Sequence, residues 1–172
     1  MWRATFDPKA ETWRATDRLT LVAGDGKERR HLRVSRDGGY PIAALDPRKG
    51  GPGADWVKHF GGAGARITFA HRSPQACKSS RIELFGGDCA QWSFDRLPGP
   101  TAEWREAAVT VRWDWNDAEA EAAGWRRAPH AFSWQETVRN VGALVVMPTL
   151  TGTPATFDLA DLSIETAIEP PK

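Results

Sequence analysis

From Ala108 to Trp115 the chain alternates without a break, with Val109, Val111, Trp113 and Trp115 on one phase and Thr110, Arg112 and Asp114 on the other. Successive side chains of a β-strand point to opposite faces, so this period of two predicts a strand with one face in a core. Shorter alternations recur along the chain, each ended by turn residues, which is the rhythm of an antiparallel sandwich or barrel. Leu19-Thr20-Leu21-Val22 runs into Gly24-Asp25-Gly26, and His31-Leu32-Arg33-Val34 follows, so the three pieces read as a hairpin. Asp37-Gly38-Gly39 makes a further turn before the run from Tyr40 to Leu45. Residues 46–54 hold three Gly and two Pro and read as a loop.

The next strands follow the same logic. Ile67 and Phe69 share one face of a strand over about residues 65–71, and Ile82 and Leu84 share a face of the next. Gly86-Gly87 then turns the chain so that Trp92 and Phe94 return. Two short helices are expected: one from Asn116 or Asp117 to Ala123 with Gly124 as its stop, and one from the capping box Ser133-Trp134-Gln135-Glu136 to near Asn140. Strands resume at Ala143 to Met147 and at Thr156 to Glu165. In the latter, Phe157 and Leu159 alternate, Asp161 interrupts, and Leu162 and Ile164 take up the opposite phase, so a bulge is expected near Ala160. The shared phase predicts that Trp92, Trp113, Trp115, Phe69, Val111 and Phe157 are largely buried.

Composition narrows the function classes. With 172 residues, one domain over residues 1–168 and a tail at 169–172 are expected, since two cores would each be small. Hydrophobic content of 41% with nine tryptophans supplies enough burial to offset chain entropy. Lys plus Arg at 23 against Asp plus Glu at 22 gives no overall field to draw nucleic acid or an anionic membrane, so neither is an expected partner. No apolar run is long enough to span a bilayer, and Met1-Trp2-Arg3 opens without the basic and apolar regions of a signal peptide. An extracellular or periplasmic setting is favoured if a signal peptide has been removed.

Catalytic and metal signatures are absent from the sequence. His31, His59, His71 and His130 have no metal-pair spacing, and no nucleophile elbow, P-loop or dinucleotide fingerprint occurs. No cofactor and no metal site is expected; β-sandwiches can hold calcium, and no Asp-rich loop argues for it here. Cys77 and Cys89 admit two readings, a pair of reduced thiols or one disulfide across the Gly86-Gly87 hairpin. A glycosidase would need two carboxylates in one cleft, and Glu103, Glu106 and Asp114 are the first to inspect.

Tryptophan is the informative residue. Sugars present apolar C–H faces and many hydroxyls, so a rigid aromatic beside planar donors suits them. Trp56, Trp104 and Trp125 fall near expected loops, with Arg105, Arg126, Arg127 and His130 nearby, and they form the candidate ligand surface together with the reading that each merely packs its own loop.

The stretch Asp37 to Ile42, the later strands, the Trp104 to Trp125 segment, the capped turn from Ser133 and the closing Phe157-Asp158-Leu159-Ala160-Asp161-Leu162-Ser163-Ile164 together resemble laminin domain IV (laminin B) modules over roughly residues 30–165. The resemblance implies a galactose-binding-like jelly roll. The fold expected is therefore all-β, an antiparallel jelly-roll sandwich with one or two short helices. The leading function is a non-catalytic recognition module that binds a glycan or a protein surface through loops at one end of the sandwich. The alternatives are an accessory subunit of a larger assembly and a carbohydrate-active enzyme with paired carboxylates.

Overall fold

A computed structural model describes residues 1–6, 11–15, 18–22, 29–37, 40–75, 77–87, 90–150 and 155–166. The Gly24-Asp25-Gly26 turn, the glycines of the Asp37-Gly38-Gly39 turn, Cys89 with its pairing to Cys77, and the tail at 169–172 lie outside the described residues.

Among the described residues twelve strands and three short helices follow one another: β1 Trp2–Arg3, β2 Trp13–Ala15, β3 Arg18–Val22, β4 His31–Arg36, β5 Ala43–Leu45, α1 Trp56–Phe60, β6 Gly64–Arg72, β7 Ser79–Gly86, β8 Ala90–Pro98, β9 Arg105–Arg112, α2 Asp117–Ala122, β10 Arg126–Arg127, α3 Trp134–Arg139, β11 Val141–Pro148 and β12 Ala155–Glu165. They build two antiparallel sheets. The front sheet has the order β3-β4-β12-β6-β9 with β1 added on β12, and the back sheet the order β10-β8-β7-β11-β5-β2. Their inner faces pack together as a jelly-roll sandwich, with Val34, Ile67, Phe69, Val111, Phe157 and Leu159 from the front meeting Leu45, Ile82, Leu84, Trp92, Leu144 and Val146 from the back in one core.

Both capping boxes form. The Asn116 and Ser133 side chains accept from the backbone N–H three residues on, and Glu119 and Glu136 reach back to close the ring. The α1 helix was not expected, because its signal is only five residues long and follows a Gly/Pro loop. Asp55 caps it by accepting from the Lys58 N–H. Strand β12 carries the expected irregularity: its register on β6 shifts between Ala160 and Ser163, and Asp161 adopts a φ of 51°. The bulge divides the strand, so its first half lies between β4 and β6 and its second between β1 and β6.

Trp92, Trp113, Phe69, Val111 and Phe157 are buried as expected, while Trp115 lies past the end of β9 and is only partly buried. Trp134 is the hub of an aromatic cluster, with ring centroids 5.3 Å from Trp92, 4.9 Å from Trp125 and 5.8 Å from Trp115. Each buried indole N–H finds a main-chain acceptor: Trp134 donates to Arg112 O, Trp92 to Phe132 O, Trp113 to Gly61 O, Trp125 to Thr110 O and Trp56 to Gly53 O.

Candidate functional site

Strand alternation leaves the outer face of the front sheet to be read directly. On β6 the core phase is Ala65, Ile67, Phe69 and His71, so Arg66, Thr68, Ala70 and Arg72 face out. On β9 Glu106, Ala108 and Thr110 face out, and on β12 Asp158 and Ala160 do so before the bulge, Ser163 and Glu165 after it. Register aligns these into rows across the sheet: Arg33, Asp158 and Arg72 in one, His31, Ala160, Ala70 and Glu106 in the next, Ser163, Thr68 and Ala108 in a third, Glu165, Arg66 and Thr110 in a fourth. The middle rows consist mainly of small side chains. They floor an open trough of about 720 Å³, with Arg3, Arg66, Glu106, Asp161 and Glu165 at its rim. On the floor the Thr68 and Ser163 hydroxyls lie 2.8 Å apart.

Beside the trough stands a polar cluster centred on Asp158. Its carboxylate accepts from Arg33 Nε at 2.7 Å and Nη2 at 2.9 Å and from Arg72 Nε at 2.8 Å, and His31 Nε2 lies 3.4 Å away. Burial pushes the Asp158 pKa up, but the hydrogen bonds from Arg33 and Arg72 and the charges of His31 and Arg33 outweigh it and hold the group below the ordinary carboxylate value. His31 is fully buried on this outer face and donates from Nδ1 to the Arg29 carbonyl at 2.7 Å. Trp104, partly exposed in the β8–β9 connection, meets the His31 ring edge-on at 5.4 Å, with the Arg72 guanidinium 4.6 Å and that of Arg29 5.8 Å from its own centre. Arg29 is also ion-paired to Asp161 at 2.7 Å, which links the cluster to the trough. A second depression of about 480 Å³ opens on the other side of the Asp158 row, between Arg33, Ser35, Arg72 and Pro74.

Of the residues singled out in the sequence, Trp104 reaches this surface. Trp56 and Trp125 do not: both are buried, their indoles held by the main-chain bonds above, and neither offers a face to a ligand. Trp56 opens α1 and Trp125 leads into β10, and both segments lie over the core with the rings inward. Arg127 is engaged in holding its own loop, donating to Ala131 O and to Asp117 at 2.7 Å. His130 is exposed in that loop with a φ of 65°. Arg105 follows Trp104 but takes the opposite strand phase, reaching toward Gly99 O and the side of His71. Of the three carboxylates, only Glu106 lies in the trough. Asp114 is bonded to Arg112 beyond the far end of β9, and at about 3.3 Å per residue the two stand roughly 20 Å or more apart, outside the reach of a glycosidase pair.

No protein-family model and no curated protein matches the chain, so the laminin domain IV resemblance rests on the residues quoted for it. Solved structures do match. A family 11 carbohydrate-binding module from Clostridium thermocellum, in complex with a β-1,3-1,4-mixed-linked tetrasaccharide, is 15% identical with a TM-score of 0.55 over 94% of this chain and 91% of that one. A family 30 carbohydrate-binding module of a cellulosomal cellulase from the same organism is 12% identical, TM-score 0.55, over 90% of each chain. An exo-β-agarase is 14% identical, TM-score 0.60, over all of this chain and 25% of that one. What is shared is the fold.

Proposed function

We propose that the chain is a carbohydrate-recognition module whose binding surface is the outer face of the front sheet, along the trough beside Trp104. The observation that carries the reading is the trough itself, a floor of Ala, Ser and Thr side chains crossing the strands, rimmed by guanidinium donors and carboxylate acceptors. A solvated sheet face needs no such arrangement, whereas a polyol needs donors and acceptors over a surface it can approach closely. The neighbours that share the jelly roll include carbohydrate-binding modules, one of them bound to a tetrasaccharide, and this supports the reading. Trp104 orders the arginines at the edge of the surface and brings a loop residue onto the sheet face.

The test fills the trough. Ala108 faces outward on its floor, so Ala108→Trp should block the surface without touching the core, and Trp104→Ala should loosen Arg29 and Arg72. Affinity electrophoresis against a panel of soluble polysaccharides is expected to show retardation of the parent, none of Ala108→Trp and a weakened band shift for Trp104→Ala, with circular dichroism unchanged. A folded Ala108→Trp that is retarded like the parent places the binding surface elsewhere.

A further inference from the structure

We infer that the trough accepts an uncharged polysaccharide and excludes acidic ones, and that Glu106 and Glu165 are the side chains that set this specificity. The inference deepens the glycan-binding reading above and depends on it. The rim carries two cations, Arg3 and Arg66, and three carboxylates, Glu106, Asp161 and Glu165. The Arg66 route is guarded. Glu165 is the direct cross-strand partner of Arg66, so a uronate or sulfate drawn to that guanidinium meets a like charge beside it. At the other side of the floor Glu106 stands opposite Ala70, exposed, with no ion pair to it among the described residues. An anion crossing the floor would pass this uncompensated carboxylate.

Beyond the trough each arginine already bonds a protein carboxylate. Arg33 and Arg72 share Asp158, and Arg29 holds Asp161. A ligand carboxylate that engages them would lie beside a protein carboxylate of like charge. A hydroxyl faces no such conflict, since it donates to a carboxylate and accepts from a guanidinium in one geometry. Alternating signs over an Ala, Thr and Ser floor therefore favour a neutral chain and disfavour an acidic one, specificity by repulsion as much as by attraction.

The experiment compares neutral polymers (mixed-linkage β-glucan, xyloglucan, neutral agarose) with acidic ones (alginate, polygalacturonate, carrageenan) by affinity electrophoresis at low salt, where screening is weakest. The parent is expected to be retarded by at least one neutral polymer and by none of the acidic ones. The Glu106→Gln/Glu165→Gln double variant keeps shape and one acceptor oxygen at each position and loses two charges, and is expected to gain roughly tenfold in association with an acidic polymer. High salt should shrink that difference. A parent retarded equally or better by acidic polymers overturns the inference while the glycan reading stands. So does a folded double variant that still rejects acidic polymers, since the two carboxylates then set nothing. A parent retarded by no polymer of either series removes the glycan reading and the inference with it.

Discussion

His71 and Asp158 show what it takes to place an ionisable side chain on either side of one sheet. His71 points into the sandwich, fully buried, with the Ser80 hydroxyl 3.3 Å from Nδ1 and the Phe69 ring edge-on at 5.2 Å. Burial pushes its pKa down to about 4, and the charge of Arg105 adds to the shift. The ordinary value is 6.5, so between the two the unfolded chain binds a proton that the folded chain refuses. Stability is therefore full above about pH 6.5 and falls as the pH drops toward 4, by roughly 3 kcal/mol over the whole window. Urea unfolding near neutral pH and near pH 4 should show this loss, and His71→Gln should flatten it. An unchanged pH slope in that variant would assign the loss to another group. Asp158 acts in the same direction over a lower window: its pKa is depressed, so the stability it lends is present above 3.8 and is lost on protonation below that. Neither environment was legible in the sequence, where both residues sit in ordinary strand patterns. Their partners come from strands distant along the chain.

At the scale of elements, the local signals carried well wherever a few neighbouring residues decide the geometry. The β3–β4 and β7–β8 pairs, the two capping boxes and the bulge in β12 all follow from patterns of four to eight residues. Short elements whose existence depends on a distant partner did not show: β1 is two residues paired to β12, and β2 is three paired to β5. The caps can be tested cheaply. Ser133→Ala removes the hydroxyl that accepts from the Glu136 N–H while leaving the Glu136 carboxylate on the residue-133 N–H, and should lower stability by about 1 kcal/mol in chemical denaturation. Gly142→Ala, one residue into β11, should cost clearly more, because a Cβ there would fall 1.9 Å from the Gly87 carbonyl oxygen. If the two variants unfold at the same denaturant concentration, the close approach of these backbones is not maintained in solution.

For the whole molecule, the tryptophans are chiefly the means by which helices and loops are fixed to the sheets. Trp134 brings α3 against Trp92 of β8 and against Trp125 and Trp115 from the segments around α2, while its own N–H is held at 2.7 Å by Arg112 O at the end of β9. Trp134→Ala should therefore cost about 3–5 kcal/mol and lower the midpoint of thermal unfolding followed by tryptophan fluorescence. A small change would mean that the cluster repacks. Period-two alternation, turn residues and caps were enough to specify strands, hairpins, helix starts and the sandwich class, because each of these is set by chain neighbours. The same alternation already held the outward residues of the trough, Arg66-Thr68-Ala70-Arg72 and Glu106-Ala108 among them. It did not hold their adjacency. Pairing of β12 with β4 on one side and β6 on the other brings Arg33 to Asp158 across 125 residues and Arg72 to the same carboxylate across 86, and this pairing builds the surface beside Trp104. Loop tryptophans likewise cannot be sorted into inner and outer from their neighbours. Trp56 and Trp125 turn inward and Trp104 reaches the surface because of what the folded sheets place above and below each ring, and that depends on contacts between segments far apart in the chain.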